Sequence, residues 1–201
     1  WPWYWQRVFG QSGNQYTLLA LATAIVVLLL TSKARRSPVR LEIPASLTLV
    51  YAVLYFIAPR EIYATVAFCA IASLLDCYRT GRGFRLSLVG LFVLALPMIP
   101  WLEFYVGYPL RVAVASIAVP LLQLGGFAVF RQGTCLIWGQ NLISIDAPCS
   151  GIRMLWTGGY LLFTLCLLFR LSALRTLPAG AGALLLVFLA NVIRSAALFY
   201  L

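Results

Sequence analysis

The chain has 201 residues, 63% of them hydrophobic and 10% charged, with a mean hydropathy of +0.95. Soluble domains are nearer half apolar and about a quarter charged, so a soluble globular enzyme is excluded. The net charge of +10 comes from 15 Lys and Arg against 5 Asp and Glu; with no basic stripe on a soluble surface it does not indicate nucleic acid, and short basic loops that hold a membrane topology account for it.

Apolar runs of about 15–25 residues suit helices that cross roughly 30 Å of hydrocarbon, and the alternating segments of a transmembrane barrel are absent. The expected fold is all-α: a polytopic transmembrane helical bundle of about six full spans plus one interfacial or re-entrant segment. Residues 1–201 form one integral-membrane domain in this reading, and the start at Trp1 and the end inside "RSAALFYL" look like cuts in a longer chain.

In chain order, the opening "WPWYWQRVFGQSGNQY" is aromatic-rich, as at a membrane–water interface. Spans are expected at about 16–31, 43–59, 61–77 and 86–102, with a tight turn at "PRE", 59–61. The segment 110–130 is apolar but carries Arg111 and Arg131 at its ends and Pro120, Gly125 and Gly126 within. "TCLIWGQNLISI" has β-like alternation and is expected to be a short extended or hairpin element. Two further helices follow, about 149–169 and about 177–201.

The basic loops 33–40, 79–85 and 170–175 are all expected on the cytoplasmic side. An even number of crossings must then separate Arg85 from Arg170, so 110–130 is expected not to cross completely. Cys149 accordingly belongs on the extracytoplasmic side, and the last helix rises toward it carrying Asn191 and Arg194.

The stretch "SIDAPCSGIRMLW", 144–156, carries the most chemistry. Pro148 suits a first helical turn, which would place Cys149 where free N–H groups and the macrodipole favour a thiolate, with Arg153 one turn on. Both effects lower a thiol pKa from its usual value of about 8.5, as a nucleophile requires. Gly151 removes bulk beside the sulfur and leaves room for a peptide. Two plainer accounts stand beside this one: a small residue packed at a helix start, or a Cys135–Cys149 disulfide. No cofactor is expected, since the five cysteines match no zinc spacing and the chain has no histidine.

Arg194 lies within an apolar helix, where an arginine costs about 2.5–3.5 kcal/mol and usually faces a partner or a wet cavity. Asn191 is three residues earlier, placed to bond between helices. An inward Arg194 can hold a carbonyl oxygen or oxyanion; the alternative is a snorkelling arginine.

"APCSGIR" opening one helix and "NVIR" in the next resemble the exosortase/archaeosortase family, and the upstream stretch from Tyr108 is similar in its order of features. The specific likeness covers about 108–201; the first hundred residues are compatible helices. The resemblance implies a multi-pass membrane cysteine transpeptidase in the cytoplasmic or inner cell membrane, working at its extracytoplasmic face. Its implied partners are the lipid bilayer and secreted proteins that end in a motif, a transmembrane helix and a basic tail, cleaved and passed to an envelope or lipid acceptor. By motif, Cys149 is the nucleophile and Arg194 the catalytic arginine, with Arg153, Asn191 and Ser150 in support. Departing from the family pattern, the chain lacks its third catalytic residue, a histidine, which family order places beyond Leu201. Competing readings are a transporter or channel with an anion held by Arg194 and Asn191, an intramembrane serine protease at Ser150, and a non-catalytic envelope-assembly subunit.

Overall fold

A computed structural model describes residues 2–10, 16–31, 41–80, 84–144 and 150–200. They fall into two compact units, Trp1–Met98 with Gly159–Gly180, and Ile99–Gly158 with Ala181–Leu201.

The first unit contains α1 (Pro2–Gly10), α2 (Tyr16–Thr31), α3 (Glu42–Ile57), α4 (Arg60–Thr80) and α5 (Leu86–Leu94). The aromatic opening is thus a short helix, with Tyr4 and Val8 buried against Ala64 and Leu96. The expected turn joins α3 to α4: Ala58 is extended, and the Pro59 carbonyl accepts from the N–H groups of Ile62 and Tyr63 at 3.0 and 3.3 Å. A core of Ala24, Val27, Leu28, Ala72, Leu88, Leu91, Phe92 and Leu167 draws α2, α4 and α5 onto a later helix, α8 (Ile152–Leu168). Gly90 is required there, since a Cβ on it would lie 2.6 Å from the Phe163 ring. Asp76 and Arg85 form a buried ion pair, 2.6 Å long, between α4 and the start of α5.

The expected span at 86–102 is not one helix. It stops at Leu94 and a new helix, α6 (Ile99–Tyr105), begins after the break. Pro97 lacks the N–H that would continue the ladder; the Leu96 N–H bonds the Val93 carbonyl instead, and Tyr4 Oη donates to the Ala95 carbonyl at 3.0 Å.

The second unit holds α6, α7 (Gly107–Leu124), three strands β1 (Val129–Gln132), β2 (Cys135–Trp138) and β3 (Asn141–Ser144), the start of α8, and the end of α9 (Ala173–Ala197), which continues as a 3-10 turn, Leu198–Tyr200. The strands form an antiparallel sheet in the order β1-β2-β3. Two-residue turns begin at Gly133 and Gly139, whose φ values of 64° and 60° suit a glycine in the first position of a type II′ hairpin. The hairpin expected over 134–145 is therefore present, and β1 is an addition: hydropathy alone assigns Val129 to the preceding apolar segment. Val129 and Leu136 pack with Ala115 and Leu122 of α7, joined by Ala196 and Phe199 at the end of α9.

Three helices, Arg60–Tyr78, Gly107–Leu124 and Ala173–Ala197, are long and apolar enough to cross a membrane, or four with the broken pair α5 and α6. The all-α membrane class stands, with a small sheet added, while six full spans do not emerge among the described residues. The stretches Tyr16–Leu30, Glu42–Ile57 and Ile152–Leu168 are shorter apolar helices; at about 1.5 Å per residue they fall short of roughly 30 Å of hydrocarbon. Local chemistry sets two of these lengths. Pro59 follows α3, and α8 lies between Gly151 at φ 81° and Arg170 at φ 53°. Within 110–130, α7 runs unbroken through Pro120 to Leu124, and the chain then turns at Gly125 and Gly126 into β1. α9 starts at Ala173, before the expected 177, because Thr176 and Arg175 already bond back to Ser172.

Candidate active site

All the described site features belong to the second unit, at the start of α8. Cys149, with Ile145–Pro148, lies outside the described residues; its neighbours Ser150 and Gly151 do not. Gly151 has φ 81°, a left-handed conformation that side chains disfavour. It delays the helix to Ile152, so the first turn begins three residues after the cysteine. The expectation that Cys149 sits in a first helical turn falls on a residue outside those described.

The space left by the missing Gly151 side chain is occupied. A Cβ there would stand 2.7 Å from Asn191 Nδ2 and 2.8 Å from Asn191 Cγ. Gly151 thus makes room for a carboxamide of the same chain. Asn191 is 1% exposed, and Arg194, one turn further along α9, is exposed, as is Arg153 on α8. The two motifs quoted above meet through Gly151 and Asn191, while both arginines stand outside the packed interior.

Ser150 is 2% exposed and doubly engaged. Its Oγ donates to Glu103 Oε1 at 2.8 Å and accepts from the Ile152 N–H at 3.3 Å, a local turn that satisfies the first N–H of α8. Its hydrogen is directed at the Glu103 carboxylate and its oxygen at the start of α8. Sequence reasoning misses Glu103, since "PMIPWLEFY" reads as an interfacial stretch. The available signal is an acid in an apolar run, which in a membrane chain marks function by default. The carboxylate also lies beside Gly107, where a Cβ would be 2.8 Å from Glu103 Oε2. That places a carboxyl group at the start of an 18-residue helix, where the dipole favours negative charge. Glu103 Oε2 is buried with no hydrogen-bond partner among the described residues.

The sheet adjoins the same helix end. Trp138 of β2 lies 5.6 Å from the Phe199 ring and Phe127 lies 5.4 Å from it, both edge-on. Cys135, at the start of β2, is a free thiol. No group of three metal-binding side chains occurs among the described residues.

These features define a polytopic helical membrane protein with a small antiparallel sheet leading into a buried polar turn between two apolar helices. The transmembrane exosortase model matches residues 5–201, and the chain belongs to that family. The match extends the likeness from the last hundred residues to nearly the whole chain. No curated protein and no solved structure matches it. The family comprises cysteine-type peptidases and transpeptidases that process sorting signals.

Proposed function

We propose that this protein cleaves the C-terminal sorting signals of secreted proteins at the extracytoplasmic face of the cell membrane and transfers the new C-terminus to an envelope or lipid acceptor. Cys149 Sγ attacks the scissile carbonyl carbon, and the Arg194 guanidinium balances the oxyanion that forms. Collapse breaks the C–N bond; the amine leaves with a proton, and a thioester to Cys149 remains. An acceptor hydroxyl or amine then attacks the thioester carbon, loses its proton and releases the thiolate. Asn191 holds the turn that carries Cys149, Ser150 satisfies the first N–H of the following helix, and Arg153 supports the thiolate or substrate. The family resemblance assigns the proton carrier to a histidine, a residue type that residues 1–201 do not contain.

The observation that carries this reading is the fit of the Asn191 carboxamide against Gly151. It ties the residue two after Cys149 to the residue three before Arg194, a link that a transporter or an assembly subunit does not require. The test is co-expression of the full-length protein with a secreted protein of the same genome that ends in a motif, a helix and a basic tail. Mass spectrometry should show that protein's tail lost with the native enzyme and kept with Cys149→Ala. A tail retained in both, with the substrate inserted and Cys149 reactive to alkylation, turns the assignment toward transport or assembly.

A further inference from the structure

All four residues of β3 are exposed, and β3 is an edge of its sheet among the described residues. The other edge is backed by protein: α7 packs on β1, Val129 is fully buried, and Gln123 Nε2 donates to the Val129 carbonyl at 2.9 Å. Proteins usually blunt an open edge with charge or proline, because its free backbone groups pair with any passing strand. β3, Asn-Leu-Ile-Ser, carries neither.

The register says which groups are free. Trp138 pairs with Asn141 across the two-residue turn, Ile137 with Leu142, Leu136 with Ile143, and Cys135 with Ser144. Residues flanking such a turn exchange both backbone bonds, and the pattern alternates from there. Asn141 and Ile143 therefore bond to β2, while Leu142 and Ser144 turn their N–H and C=O groups outward. The side chains split similarly. Leu136 and Val129 point into the core, whereas Phe130, Ile137 and Leu142 form one row on the opposite face, Phe130 and Leu142 being 65% and 64% exposed.

Along the chain, the strand ends shortly before the proposed nucleophile. Ser144 precedes Cys149 by five residues, a reach of at most about 18 Å in extended chain. Resting on the function proposed above, the geometry points to β3 as the docking edge for the substrate: the extended peptide segment of the sorting signal pairs its backbone with Leu142 and Ser144. Main-chain bonds supply affinity for any extended segment, and alternate side chains supply selectivity. A substrate residue opposite Leu142 extends the apolar row of Phe130, Ile137 and Leu142, so the segment should carry an apolar side chain there.

Leu142→Pro tests this, because it removes an outward N–H and leaves the β2 ladder intact, as proline is tolerated on edge strands. Processing of the co-expressed substrate should fall about tenfold or more, the loss of a backbone bond plus the ring's clash. Leu142→Ala, which keeps the N–H, should fall much less. Alkylation of Cys149 by N-ethylmaleimide should proceed at the native rate in both, showing an assembled site. As an independent measurement, Leu142→Cys in a Cys149→Ala background should form disulfides with single cysteines at alternate positions of the substrate motif. Native processing by Leu142→Pro, or no such disulfides, overturns the docking edge and leaves the enzyme assignment intact. A disulfide that instead joins two copies of the Leu142→Cys variant through the introduced thiols overturns it too, and makes β3 a self-association edge. If the native protein itself leaves the tail uncut, the enzyme assignment falls and this inference with it.

Discussion

A side chain at Gly151 and the carboxamide of Asn191 cannot occupy the same space: the missing Cβ would lie 2.7 Å from Asn191 Nδ2. Glycine at 151 is also required by a φ of 81°. Gly151→Ala should therefore be damaging on two counts, the left-handed backbone alone costing roughly 1–2 kcal/mol. Pairing it with Asn191→Ala removes the clash but not the strain, so thermal unfolding in detergent should show partial recovery of stability. Full recovery would show that the backbone conformation is immaterial.

Glu103 can be tested for what it does to Ser150. Glu103→Gln keeps an oxygen that accepts from Ser150 Oγ but cannot carry a proton. Glu103→Ala removes the acceptor and leaves a buried hydroxyl unpaired, a loss of about 1–3 kcal/mol. A positioning role predicts that Gln retains most processing activity and an unshifted pH–rate profile while Ala loses both activity and stability. Equal loss in the two variants, with a pH profile changed by Gln, would give Glu103 a part in proton transfer.

Among the cysteines, Cys149→Ala should abolish processing and Cys135→Ala should leave it within about twofold, a change worth less than half of the roughly 1.4 kcal/mol per decade. Arg194→Ala should lower turnover by about a hundredfold or more, the usual loss when an oxyanion partner is removed. Substrate-tail mass analysis reads all three. If Cys135→Ala proved as damaging as Cys149→Ala, Cys135 would belong to the chemistry.

The Asp76–Arg85 pair offers a test of stability. Asp76 is fully buried and the Arg85 side chain only 10% exposed. Removing one partner strands a charge, so Asp76→Ala or Arg85→Ala should destabilise by about 3–5 kcal/mol, whereas the paired change to apolar residues of similar size should cost far less. Unfolding of the purified protein in detergent distinguishes the two.

The membrane class, the helix-rich chain, the turn at Pro59, the hairpin around Gly139 and the family were all legible in the residues. Each follows from local chemistry: apolar run length, proline's missing N–H, glycine's freedom at positive φ, and short motifs. Helix lengths were less legible, because Pro97 and Gly151 cut two expected spans at points that hydropathy averages over. The partners of Ser150 were hidden altogether. Glu103 is 47 residues away along the chain, and nothing local distinguishes an interfacial acid from one folded onto a helix start.

Order along the chain, then, established what kind of protein this is, since solvent preference and backbone freedom are properties of the residues themselves. Only the tertiary structure decided that Asn191 fills the space at Gly151, that Ser150 is held by Glu103, and that β3 is left as an open edge. Those are packing outcomes. They depend on which distant side chains compete for one small volume, and on which backbone groups are left over when the competition ends.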